Sequence, residues 1–113
     1  MIDSEADNEF ISNSQDLLDI LSSLEIDKYV MRLYISHKNE MSVRAMHNIR
    51  QVCEERLRGR YELEVIDIHH QPERLEQDHI FAIPTLIKEL PPPIQRLIGD
   101  MTDKEKLVHA LDL

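Results

Sequence analysis

The chain has 113 residues, a formal net charge of −9, one cysteine and no tryptophan. That length makes one domain, large enough to bury about two-thirds of its unfolded surface without covalent staples. The single cysteine, Cys53, excludes an intramolecular disulfide and fits a reducing compartment, so a cytoplasmic location is expected.

No apolar run reaches the roughly 18 residues of a membrane span, and no basic-plus-apolar leader opens the chain, so no membrane association is expected. The acidity is local. Of 22 Asp and Glu, eight lie within residues 1–27, which hold no Lys or Arg; the remaining 14 face 13 bases over residues 28–113. No basic face of the kind nucleic acid requires is present in the pattern.

Residues 1–13 are polar and acidic and are expected to be loose. Leu17, Leu18, Leu21 and Leu24 then recur at helical spacing behind a Ser12–Gln15 capping box. Residues 1–27 are therefore read as an acidic, partly helical extension, and residues 28–113 as the domain. "YVMRLYIS" (Tyr29–Ser36) reads as a strand. The next segment carries Val43, Met46, Ile49, Cys53 and Leu57 on one helical stripe, with Gly59 as its stop. "YELEVIDI" (Tyr61–Ile68) is a second strand, and strand–helix–strand with short links predicts a parallel pair with a right-handed crossover. Pro72 suits the start of a short helix over 72–79. "IFAIPTLIKELPPPIQRLIGD" (Ile80–Asp100) supplies two strands, and a Thr102–Glu105 capping box opens a last helix with Leu107, Val108 and Leu111.

The order βαβα, two strands, α is that of the thioredoxin fold, whose third strand follows a proline that is often cis. Pro84 stands at that position. Pro91, Pro92 and Pro93 mark the connection to the fourth strand, since proline cannot sit inside a central strand. A thioredoxin enzyme carries thiolate chemistry after its first strand. Here the loop is "SHKNEMS" (Ser36–Ser42), without cysteine, and Cys53 falls on the apolar stripe of the long helix. The redox chemistry is therefore expected to be absent, and no phosphate loop or nucleophile elbow replaces it. Six histidines invite a metal reading. His69, His70 and His79 are the closest group in sequence, but adjacent histidines on a strand point apart and no structural zinc spacing appears. No metal or other cofactor is expected.

"YVMRLYIS", "SVRAMHNI", "YELEVIDI", "IPTL" and above all "LPPPIQRLIGDMTDKEK" resemble the KaiB family of circadian clock proteins over about residues 28–113. The resemblance implies a non-enzymatic protein that binds the ATPase ring of a KaiC-type protein and modulates its cycle. It also implies two folds from one sequence, a self-assembling tetrameric ground state and a monomeric thioredoxin-like state, with the second half of the domain rearranging, so self-association as a dimer or tetramer joins the KaiC-type ATPase among the expected partnerships. Pro84, Pro91, Pro92, Pro93 and Ala110 are the candidate switch positions. Cyanobacterial members read Gly-Leu-Asp where this chain reads Ala110-Leu111-Asp112, and Ala is about 1 kcal/mol better than Gly inside a helix. A mainly thioredoxin-like state is expected.

The polar residues shared with the family pattern, Arg44, Asp67, Arg96, Asp100, Lys104 and Asp112, are the candidate partner contacts; Arg suits bidentate pairing with carboxylates. Each has intramolecular ion pairing or plain solvation as its structural alternative. Two departures stand out. The loop after the first strand reads Ser36-His37-Lys38-Asn39 in place of a Gly-Asn turn, and Glu64 replaces a usual Lys on the strand where a further clock partner docks in cyanobacteria. The alternative function is that of a thioredoxin-like stress-response protein without redox cysteines.

Overall fold

The computed structural model describes residues 28–113. The expected extension over residues 1–27 lies outside the described residues. The elements are β1 (Tyr29–Ile35), α1 (Glu40–Arg56), β2 (Tyr61–Asp67), α2 (Glu73–Gln77), β3 (Thr85–Leu90), β4 (Gln95–Ile98) and α3 (Lys104–Ala110). They form one sheet of order β2-β1-β3-β4, with β1 parallel to β2 and β3 antiparallel to both β1 and β4. This is the expected βαβαββα arrangement.

Alternation along β1 sorts the core into two layers. Tyr29, Met31, Leu33 and Ile35 face α1 and α3, where they meet Ile49, Cys53, Leu57, Leu107 and Leu111. Tyr34 points the other way, to Ile66, Ile80 and Ile87 beneath α2. Both faces of β1 and of the first half of β3 are thus covered, so buried apolar residues follow one another without alternation at Leu33-Tyr34-Ile35 and Leu86-Ile87.

Two local expectations need correction. The buried stripe of α1 is Ser42, Ala45, Ile49, Val52 and Cys53, while Val43 is exposed and Met46 only partly buried. The helix is rotated so that positions 42, 45, 49, 52 and 53 face the sheet, which turns Val43 to the outside. The N-cap of α3 is Asp103, not Thr102: its Oδ1 accepts the amides of Glu105 (3.0 Å) and Lys106 (3.3 Å). A carboxylate is the better acceptor at the positive end of the helix dipole, and Thr102 turns back to Asp100 instead.

Pro84 precedes β3 and Pro91–Pro93 link β3 to β4, as the sequence predicts; the Ile83–Pro84, Leu90–Pro91 and Pro92–Pro93 bonds are cis. Helix α3 ends in a Schellman turn. The amide of Leu113 reaches the carbonyl of Val108 (2.9 Å) and that of Asp112 reaches His109 (3.1 Å). Asp112 adopts the left-handed φ of 59° that this turn requires. The Tyr29 hydroxyl then donates to the Leu111 carbonyl at 2.8 Å, tying the last turn to the start of the first strand.

Candidate functional site

Strand register brings four chain segments to one pole of the domain. Ile35 pairs with Asp67, Tyr34 with Thr85, and Thr85 with Ile98. The carboxyl ends of β1, β2 and β4 and the start of β3 therefore meet there. The loop Ser36–Asn39, the N-terminus of α1, Pro84 and the turn Gly99–Thr102 all emerge at this pole. In open α/β sheets this is where ligand and partner sites collect, because the loops are free to vary while the strands hold them.

The loop from β1 is built by its own polar groups. The Ser36 hydroxyl accepts the Lys38 amide at 3.2 Å, and the Asn39 side chain accepts the Ser42 amide at 2.9 Å, capping α1. Arg44, on the exposed side of the first turns, pairs with Glu40 at 2.7 Å. Arg44 and Asp100 line one shallow cleft together with Glu40, Met41 and Thr102. Asp100 is set by Thr102, whose hydroxyl (2.5 Å) and amide (2.9 Å) both donate to its Oδ1. The hydroxyl, then the amide, hold the Asp100 carboxyl below the usual carboxylate range. The Asn48 side chain donates to the carbonyls of Met101 (3.1 Å) and Thr102 (3.0 Å), so α1 fixes the turn that carries Asp100.

Asp67 ends β2 at the same pole. Its Oδ1 accepts the His69 amide at 3.0 Å and its Oδ2 meets Nδ1 of His37 at 2.6 Å. Partial burial pushes its carboxyl upward, but the His69 amide and the His37 ring outweigh that and leave it below the usual range.

The other candidates are less close. Arg96 donates to the main-chain carbonyls of His79 (3.1 Å) and Asp78 (3.2 Å), clamping the loop after α2, while its strand borders a second groove shared by Asp100 and Ala110. Lys104 sits 3.6 Å from Glu55 across the α1–α3 seam. Asp112 terminates α3 near the opposite pole, beside the end of the chain that Tyr29 holds. Arg44, Asp67 and Asp100 are thus gathered at one pole, Arg96 and Ala110 flank it, and Lys104 and Asp112 lie away from it. Cys53 is wholly buried, with its thiol pushed up to about 11, mainly by burial and then by Glu54.

Two features escaped sequence reasoning. One is a hub on Asp78, below the α2 layer. The Tyr34 hydroxyl donates to Asp78 Oδ2 at 2.5 Å, Arg74 Nε donates at 2.9 Å, and Arg32 lies at 3.7 Å. Arg32 also pairs with Glu89 (3.1 Å), and Arg74 with Glu64 (3.3 Å). Strand alternation placed Arg32, Tyr34 and Glu64 on one face, and that signal pointed toward the hub. The second is the grouping of His37 with Asp67 and His69. The sequence-adjacent set His69, His70 and His79 is not the group that forms. Residue 37 lies some thirty positions upstream, and only the parallel pairing of β1 with β2 brings it in.

The KaiB domain family model matches residues 32–113. The chain belongs to the KaiB family. Its relatives include circadian clock protein KaiB3 of Synechocystis sp., 44% identical over 90 residues and covering 80% of this chain and 88% of the relative. The circadian clock oscillator protein KaiB of Prochlorococcus marinus is 45% identical, covering 75% and 81%. Among solved structures, the thioredoxin Deadhead of Drosophila melanogaster aligns with a TM-score of 0.62 at 13% identity, over 88% of this chain and 91% of its own. The N-terminal domain of Synechococcus elongatus SasA aligns at 0.59 and 18%, over 74% and 79%. These distant structures establish that this KaiB-family chain has a thioredoxin-like fold. No helix among the described residues is long and apolar enough to cross a membrane.

Proposed function

We propose that this protein is a non-enzymatic regulatory module that binds the ATPase ring of a KaiC-type protein and modulates its phosphorylation and ATPase cycle as part of a clock or timer. The observation that carries the reading is the family match over residues 32–113. It is supported by a thioredoxin-like frame whose loop after β1 holds no thiol and whose one cysteine is buried with a raised pKa. The pole carrying Arg44, Asp67 and Asp100 is the proposed contact face. It offers charge of both signs on short, hydrogen-bonded turns, and such rigid polar contacts fix register and selectivity in an interface. Asp112 and Lys104, which lie away from that pole, are assigned the weaker effects. The switch to the family's other, tetrameric fold is assigned to the proline-rich second half, Pro84 and Pro91–Pro93, together with Ala110.

Size-exclusion chromatography of the protein with a KaiC-type ATPase and ATP tests the reading. Co-elution as a ring complex is expected, and Arg44→Glu or Asp100→Lys is expected to weaken it by tenfold or more, while Asp112→Ala changes it little. Absence of association at any protein ratio overturns the proposal and leaves the thioredoxin-like stress-response role in its place.

A further inference from the structure

The pole has chemistry that protein binding alone does not use. A ring nitrogen from each of His37 and His69 and a carboxylate oxygen from Asp67 lie within 4.8 Å of one another. We infer that His37, Asp67 and His69 form a divalent transition-metal site, of Zn²⁺ type, which staples the β1–α1 loop to the β2–α2 loop.

Three observations carry this. The first is the donor set. Two imidazoles and one carboxylate are the ligands that zinc takes in open, three-residue sites, with water completing the tetrahedron. Hard cations such as Mg²⁺ and Ca²⁺ prefer oxygen throughout and are poorly served by two ring nitrogens.

The second is reach. Zinc bonds of about 2.0–2.1 Å place tetrahedral ligand atoms about 3.3 Å apart. His37 Nδ1 and Asp67 Oδ2 are now 2.6 Å apart in a direct hydrogen bond, and the whole set spans no more than 4.8 Å. Side-chain adjustment has to open the first pair and close the rest, while the β1–β2 pairing holds the backbone on either side.

The third is support around the ligands. Asp67 Oδ1 is engaged by the His69 amide at 3.0 Å, which leaves Oδ2 as the single metal-facing oxygen. The Ser36 hydroxyl meets Nε2 of His69 at 2.7 Å and fixes the tilt of that ring. His37 stands edge-on to His69 with centroids 4.9 Å apart, and the His70 ring stacks on His37 at 5.8 Å. Such outer contacts orient imidazole ligands and raise metal affinity. The parallel pairing of Ile35 with Asp67 holds the two loops in this relation.

Isothermal titration of the full chain, stripped with chelator, with Zn²⁺ alone is the test. One saturable equivalent per chain is expected. His37→Ala and His69→Ala should each weaken it by tenfold or more, and His79→Ala and His109→Ala should leave it unchanged. Asp67→Asn keeps an oxygen for the His69 amide while removing the charge, so it should also weaken binding by about tenfold with an unaltered far-UV circular dichroism spectrum. Co²⁺ should give the visible absorption of a four- or five-coordinate ion, lost in the same variants. The His37 side chain is 50% exposed, so His37→Ala decides the matter even if another variant misfolds. No stoichiometric binding, or binding of one equivalent that survives in His37→Ala, overturns the inference.

Discussion

Replacing Tyr34 by Phe isolates the contribution of the Asp78 hub. Tyr34 is fully buried, so the ring stays in place and only the hydroxyl is lost. That hydroxyl donates to an ionised carboxylate at 2.5 Å, and hydrogen bonds to charged groups contribute about 1.5–3 kcal/mol. Arg74 and Arg32 remain beside the carboxylate after the change, which limits the penalty. A loss of about 2 kcal/mol is expected, and at 4–8 °C per kcal/mol in a domain of this size that lowers Tm by roughly 8–16 °C.

The pH dependence sharpens the test. The Asp78 carboxyl is held below its usual range, first by the Tyr34 hydroxyl and then, against the effect of burial, by Arg74 and Arg32. A depressed carboxylate contributes stability above its unfolded value of about 3.9 and loses it as pH falls through the folded value. Tyr34 itself is pushed up to about 12, by burial and then by Asp78, so its contribution holds below about 10 and fades as pH rises toward 12. The gap between the wild type and Tyr34→Phe should therefore be level around neutral pH and narrow at both extremes. Urea unfolding followed by far-UV circular dichroism measures it, and a cycle with Asp78→Asn gives the pairwise coupling. A gap below about 0.5 kcal/mol at neutral pH, or one that does not change with acid, refutes the hub as a source of stability.

Asp112→Gly should raise stability by about 1 kcal/mol, because glycine adopts the left-handed C′ conformation without the side-chain cost; a thermal melt reads it. Gly59→Ala should lower stability by about 1 kcal/mol in the same assay, since Gly59 has φ of 81° and open space around it, so backbone strain is the only cost. Cys53 should resist a thiol reagent at neutral pH in the native state and react fully in denaturant; rapid native labelling would show that α1 opens from the sheet. Ala110→Gly should shift the fold population away from the thioredoxin-like state, which amide exchange across α3 would report as lost protection.

Much of the frame is legible in the sequence because it rests on local periodicity. β1, β2 and α1 are long, strongly patterned segments, and Pro84 and Pro91–Pro93 punctuate the two strands that follow. Where the structure departs from the pattern, a competition that periodicity does not weigh decides the outcome. Val43 fits a helical stripe as well as Ser42 does, and only the rotation of α1 on the sheet, which turns 42, 45, 49, 52 and 53 inward, decides between them. Thr102 fits the capping-box pattern, but Asp103 is the stronger acceptor one position later. The pole itself is partly legible: Arg44, Asp67 and Asp100 stand out by type, whereas their meeting depends on strand register. His37 was hidden altogether, since nothing near it in the chain marks it as a partner of Asp67 and His69.

The bond from the Tyr29 hydroxyl to the Leu111 carbonyl has a practical side for handling the molecule. It sets the first and last described segments of the domain side by side, at the pole opposite Asp67 and Asp100. A fluorophore, affinity handle or surface tether joined after Leu113 therefore points away from the proposed contact face. The same adjacency makes residues 28–113 a candidate for circular permutation, with a short Gly/Ser bridge joining residue 113 to residue 28 and new termini cut in the exposed turn around Gly59.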